Sequence, residues 1–436
     1  MHHTIDICQD IAEKLRSPEA LYETIEDERR RGTSFVEHWP DLSLASGLPG
    51  IVCFYAAMDR AFPDQHWDDV AHQYIKLLGS ECERRGYGGY SLFTGISGLC
   101  FAGYLCAKDS RYTNFLRQLD VALVQEVEKG IAYIQKQCVE PDRYVAPHHY
   151  SLMYGLSGVV AYLMLRQQDR QLQKLMGDCV DMLISMLTAK KSVAGTMVPG
   201  WFVSPEHQFD KEQYPHGSYF LSTQFGITGC LSILSLVAWH GKGSAQLSKA
   251  IKEIASWLCQ KQVETPFGHS WPEILPIETD INKQKWPQSH YGDDWKSGRP
   301  SAAISLYMAG RAMQDKDMMT FAEERFASLF HETDASLQAP SFSFGQAGLL
   351  ASTYRMAKLT NSSFLMRQVS VLESSLKKLY SPSYRFGFQR VRKIDEIEFP
   401  WNDPGLLDGA VGAALALLSA DGRLEDFAWD RAFLLT

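Results

Sequence analysis

Apolar and polar positions in this chain come in long blocks rather than alternating residue by residue. Residues 51–58 (Ile-Val-Cys-Phe-Tyr-Ala-Ala-Met), 159–165 and 413–418 are almost wholly apolar. They are rich in Ala, Leu and Met and show no two-residue period, so they predict buried helices. Between such runs lie amphipathic stretches, among them residues 67–83, 114–138 and 247–261, with apolar positions three and four apart. The pattern predicts a repeating pair, one polar outer helix with one apolar inner helix.

A short glycine motif, Gly-x-x-Gly, opens each apolar run. Its copies begin at Gly47, Gly95, Gly155, Gly226, Gly345 and Gly409. A seventh, stretched copy is read from Gly292 to Gly298, where six positions separate the glycines (298−292) instead of three. One glycine allows a tight turn and the other a close backbone approach. Ser and Thr inside several copies are expected N-caps. Seven helix pairs closing on themselves make an all-α, double-layered α/α toroid, with the glycine turns gathered at one end. One domain over residues 1–436 is expected. Two Pro- and Gly-rich segments, 191–220 and 262–301, interrupt the pattern as long loops with short hairpins.

Composition narrows the function. The chain has 436 residues, 45% hydrophobic and 22% charged, with a formal net charge of −8. That charge gives no footprint for nucleic acid. No apolar run approaches the ~20 residues of a membrane span. The nine cysteines include no Cys-x-x-Cys pair and several lie in apolar helical runs. They read as free thiols in a reducing compartment, and a cytoplasmic protein is expected.

The set of seven turns, together with Tyr214-Pro215-x-Gly217-x-Tyr219 before the fourth and Trp401-x-x-Pro404-Gly405-Leu406-Leu407 before the last, resembles the lanthionine synthetase C-like family. The resemblance runs from about residue 43 to residue 420. It implies an α/α toroid that adds a cysteine thiol of a precursor peptide to a dehydroamino acid, closing a thioether ring. It also implies one zinc on two cysteines and a histidine, with a second histidine for proton transfer. Carried over residue by residue, this machinery is missing. His290 stands for the first zinc cysteine, and Ser343 and Phe344 for the second cysteine and the histidine. Phe225 replaces the proton-transfer histidine, Ser151 an aspartate and Trp286 an arginine; only Tyr291 matches. Ser and Phe do not make a zinc site, so no zinc or other cofactor is expected.

The candidate catalytic residues are therefore His290, Tyr291, Asp293 and Asp294, in the stretched fifth turn. They offer a rebuilt metal site or an acid–base set in which an aspartate orients the imidazole. The plainer reading is a solvated polar loop, Lys296 and Arg299 included, that caps the next helix through Asp294 or Ser301. Ser151, Tyr219, Phe225, Trp286, Ser343 and Phe344 are expected to line the cavity, with Phe225 and Phe344 packed into it. His148 and His149 precede the third turn, and adjacent residues are expected to point apart. Three functions follow from this reading. The first is a zinc-independent cyclase acting on a dehydrated precursor peptide. The second is an inactive peptide-binding scaffold that partners a dehydratase or other modification enzyme. The third is carboxylate chemistry on another substrate.

Overall fold

The computed structural model describes residues 2–31, 39–108, 111–138, 144–193, 195–265, 268–282, 292–331, 339–394 and 397–436. Seven inner helices carry the core: Leu48–Ala61, Ile96–Cys106, Leu156–Leu163, Ile227–Trp239, Gly298–Met313, Gln346–Thr360 and Ala410–Ala420. Each packs on the next, and the last packs on the first, so the layer closes. A helix apolar on every side must be buried on every side, and every residue of 410–419 is.

Outside them run Trp67–Arg85, Thr113–Cys138, Arg170–Thr188, Ala245–Gln260, Lys316–Ser328 and Ser363–Lys378. Each follows its inner partner in sequence and packs against it. In Arg170–Thr188 the buried residues Leu172, Leu175, Met176, Cys179, Leu183 and Met186 form one stripe, spaced as an amphipathic helix requires. The seventh outer position belongs to the N-terminal helix Thr4–Lys14, which packs on the last inner helix. Tyr55 and Tyr74 donate to the carbonyls of Ala12 and Leu15 (2.7 and 2.5 Å) and tie it to the first pair. The expected seven-pair toroid is the observed architecture.

The two interrupting segments pair with each other. Phe202–Val203, Ser218–Phe220 and Ile274–Pro276 form a three-stranded antiparallel sheet, flanked by the hairpins Lys190–Val193/Thr196–Pro199 and Val263–Thr265/Gly268–Ser270. A hairpin that the hydrophobic pattern does not predict, Arg390–Ile394 with Ile397–Trp401, stands before the seventh turn.

The turns interlock. A Cβ on the first glycine would strike the carbonyl six residues back: Asp41 O at 2.4 Å from Gly47, Gly89 O at 2.5 Å from Gly95, Ala339 O at 2.4 Å from Gly345. A Cβ on the second would strike its own turn and, at every copy but Gly229, where the nearest atoms are all Thr223's, the preceding one as well. Leu406 Cβ lies 2.8 Å from Gly50, Leu44 Cβ 3.0 Å from Gly98 and Leu92 Cβ 2.7 Å from Gly158. Trp295 Cβ and Phe342 Cβ stand likewise, 2.9 and 3.3 Å from Gly348 and Gly412. The intruding residue always lies three places before a turn glycine. Backbone bonds join neighbouring turns as well, as in Leu44 N to Phe93 O (2.9 Å), Met153 N to Gln224 O (3.1 Å), Thr223 N to Lys296 O (2.7 Å) and Leu407 N to Ala45 O (2.7 Å).

This geometry corrects the fifth turn. Gly298, not Gly292, is its first glycine: Gly292 O is the carbonyl six back, 2.1 Å from a Cβ on Gly298, and Trp295, three back, abuts the sixth turn. The turn reads Gly298-Arg299-Pro300-Ser301 and is not stretched. Ser301 holds the second glycine's place. It fits because its neighbour at the intruding position is Thr223, not Leu, and the two hydroxyls bond at 2.7 Å. The helix caps differ too. Glycine itself is the N-cap at six turns, with no side-chain cap. The inner Ser97, Ser157 and Thr228 donate instead to the carbonyl seven residues back (2.6, 2.5 and 2.9 Å).

The C-terminal segment plugs the ring. In the short 3-10 helix Ala428–Phe433, the ring of Phe433 lies 5.9 Å from Phe93, 5.1 Å from Trp295 and 3.8 Å from Phe342. These belong to the second, fifth and sixth turns, so Phe433 sits on the toroid axis beneath the turn end.

Gly158→Ala is expected to lose roughly 2 kcal/mol or more of stability in urea unfolding, as overpacking does. Gly177→Ala, on an outer helix with nothing within 4 Å of its Cβ, is expected to gain about 0.5–1 kcal/mol. Equal effects at both sites would contradict the interlock.

Candidate functional site at the turn end

The residue just before each turn glycine rims the toroid mouth. Thr94, Tyr154 and Phe344 are exposed there, Ser46, Phe225 and Asp408 are half-buried, and Ser297 is buried. Phe344 therefore does not fill a cavity; it is open, with the Arg390 guanidinium 5.4 Å from its ring centre. Beside it Ser343 is buried and its hydroxyl donates to Asp408. Arg390 approaches the other Asp408 oxygen at 3.6 Å.

Two predicted cavity residues lie beneath the surface. Ser151 is fully buried and takes the Tyr154 N–H at 3.4 Å. Tyr219 is the central strand's residue in the small sheet, buried edge-on against Phe202 and Trp257. Phe225 stays at the rim, stacked on Tyr154 at 5.8 Å and edge-on to Phe209 at 5.5 Å. Trp286, His290 and Tyr291 lie outside the described residues.

The fifth turn is tightly bonded rather than solvated. Asp293 takes the Arg299 backbone N–H (2.8 Å), its Nε (2.9 Å) and its Nη2 (2.6 Å), and Arg299 is buried. Asp294 Oδ1 takes the backbone N–H and hydroxyl of Ser297 at 2.9 and 3.0 Å. Among the described residues Asp294 Oδ2 accepts no hydrogen bond. Burial pushes its carboxyl up to about 7, opposed by the nearby Lys296 charge and the Ser297 bonds. Lys296 pairs with Glu273 at 2.7 Å.

The family model described as lanthionine synthetase C-like protein matches residues 38–434. This chain belongs to the lanthionine synthetase C-like family. It is 22% identical over 417 residues to the nisin biosynthesis protein NisC of Lactococcus lactis subsp. lactis, spanning 94% of this chain and 92% of that one. A solved nisin cyclase superposes with a TM-score of 0.76 at 20% identity, covering 95% of this chain and 96% of that chain.

Within the family the first zinc cysteine lies two residues before the fifth turn glycine. With Gly298 as that glycine, the position is Lys296, not His290. The family arginine, six residues before it, falls on Gly292 rather than Trp286. The three zinc positions are then Lys296, Ser343 and Phe344. An ammonium paired with Glu273, a hydroxyl committed to Asp408 and a phenyl ring do not fit the metal. Elsewhere, among the described residues, His66, Asp68 and Asp69 cluster. They lie on the link between the first inner and outer helices, at the opposite end, and Asp68 pairs with Arg111 at 2.8 Å. Burial also raises the thiols of Cys53, Cys100 and Cys230, so none supplies a thiolate. No helix of the described residues is long and apolar enough to cross a membrane.

Asp294 sets a pH dependence. Its folded pKa lies above the unfolded value, so its stabilising share is whole below about pH 4 and is lost as pH rises through about 7. Asp294→Asn keeps an acceptor for Ser297 and removes the ionisation. Its stability relative to the parent is expected to rise between pH 5 and pH 8 by on the order of 1–3 kcal/mol. A difference that stays constant with pH, in urea unfolding, would contradict the assignment.

Proposed function

We propose that the protein acts in lanthipeptide maturation in the cytoplasm. It takes a dehydrated precursor peptide at the turn end and promotes thioether closure without zinc. The observation that supports this most is Lys296, a cation at the frame position where the family places a metal-binding thiolate. A thiol beside a lysine ammonium loses its proton more readily. The substrate thiolate then adds to Cβ of the dehydroamino acid, the electron pair moves into the adjacent carbonyl, and Cα takes a proton. Asp294, whose Oδ2 accepts no hydrogen bond among the described residues and whose carboxyl is pushed up to about 7, is the group in this turn suited to accept the thiol proton and return it. Holding thiol and alkene together supplies much of the remaining acceleration.

A binding-only role is the alternative reading. It draws on the pairing already present at the site: Lys296 with Glu273, Ser343 with Asp408 and Asp293 with Arg299. In that case a dehydratase or other modification enzyme would be the working partner.

Incubation with a dehydrated, cysteine-containing precursor separates the two when free thiols are counted against a protein-free control. The wild-type protein is expected to accelerate thiol loss. Lys296→Gln is expected to slow it by roughly tenfold or more, as loss of one charge-stabilising group does. Binding without acceleration would replace the cyclase with the scaffold.

A further inference from the structure

A hollow of about 530 Å³ opens beside the mouth, within the size of sites that bury a small ligand. Its walls come from three elements: the second turn, the outer helix Thr113–Cys138 and the short helix Pro147–Tyr150 that leads into the third turn. Gly130 on that outer helix shapes the floor. A Cβ there would lie 2.4 Å from the Tyr90 ring. A mid-helix glycine costs about 1 kcal/mol against alanine, and here it lets Tyr90 lie under the hollow. The rim at Tyr154 is shared with the mouth.

From Tyr154 an aromatic strip continues outward. Tyr154 stacks on Phe225, Phe225 meets Phe209 edge-on, and Phe209 stacks on Phe220 at 5.3 Å. Tyr154 is 42% and Phe209 69% exposed, and Tyr133 on the hollow's other wall is 55% exposed. Large apolar rings left open in a contiguous row mark a binding surface more often than scattered ones do.

The acidic and basic residues lining the hollow are a matched pair. Glu126 and Lys129 pair with each other at 2.8 Å. The rings of His148 and His149 lie 4.1 Å apart and line the same hollow, contrary to the expectation that they point apart. Burial lowers both, His149 to about 4, so they are neutral at pH 7. The lining suits a neutral side chain and an extended backbone, not an acidic or basic group.

We propose that the hollow and the Tyr154–Phe225–Phe209 strip form a specificity subsite for an aromatic or large aliphatic residue of the peptide, flanking its ring-forming residues. The occupant is argued from continuity with the mouth: Tyr154 and Phe225 immediately precede the third and fourth turn glycines. The inference rests on the peptide reading above, and its test separates the two.

The probe is a fluorescein-labelled peptide containing dehydroalanine, an alkylated cysteine that cannot close a ring, and one Phe. Its analogue carries Ser in place of Phe. By anisotropy the Phe peptide is expected to bind about tenfold more tightly, the scale of one buried aromatic side chain. Tyr154→Ser and Phe209→Ser, both at exposed positions, are each expected to remove most of that preference. Val371→Ser, on an outer helix, is expected to keep it. Equal affinity for both peptides, or variants matching Val371→Ser, would overturn the subsite. With an unblocked cysteine, ring closure lacking any Phe preference also overturns it while leaving the cyclase. A Phe preference without ring closure supports the subsite and sinks the cyclase.

Discussion

At six of the seven junctions round the ring, a residue three places before a turn glycine presses against the second small residue of the following turn. Leu406, Leu44, Leu92, Trp295 and Phe342 do so against glycine at 2.7–3.3 Å, and Thr223 does so against Ser301 through a hydroxyl bond. Backbone bonds from turn to turn run alongside. A Cβ at the glycine junctions would have to displace backbone as well as a side chain, and cores tolerate such overpacking poorly. The inner helices can then be almost wholly apolar, because the turns fix their heads and the outer helices cover their sides. Phe433 closes the axis where the turn residues meet.

Much of the architecture is legible in the chain, because block-wise hydrophobicity and glycine spacing are local signals. What is not legible depends on neighbours distant in sequence. Ser301 passes for an ordinary residue until Thr223, 78 positions away, is seen to bond with it. Without that pair the nearest Gly-Gly spacing, 292 to 298, looks like a stretched turn. Read so, the turn puts the family's first metal position at His290 instead of Lys296. The better signal was present but subtle: a large apolar residue three before the glycine, Trp295, matches Leu44, Leu92 and Phe342 elsewhere. The plug left no signal at all, since Ala428–Phe433 carries no repeat. Tyr219 and Ser151 are buried for a similar reason: sheet pairing and turn packing claim them.

At the site, chemistry follows from the frame. The turn end exposes the residues just before the glycines, and in this chain they run from polar (Ser46, Thr94) through aromatic (Tyr154, Phe225) to Phe344 and Asp408. Tyr154 and Phe225 leave one side of the mouth apolar and open; the other carries ion pairs at the fifth and seventh turns, with the Phe344 ring open between them. A peptide lying across it would meet rings on one side and Lys296 on the other.

The claim on which all of this depends is that Lys296, Ser343 and Phe344 hold the family's three metal positions. Zinc analysis of the purified chain and of the triple variant Lys296→Cys, Ser343→Cys, Phe344→His tests it directly. Well under one zinc is expected in the natural chain and about one in the variant, since two thiolates and an imidazole on one frame form an ordinary zinc site. About one zinc held by the natural chain, or none gained by the variant, would contradict it.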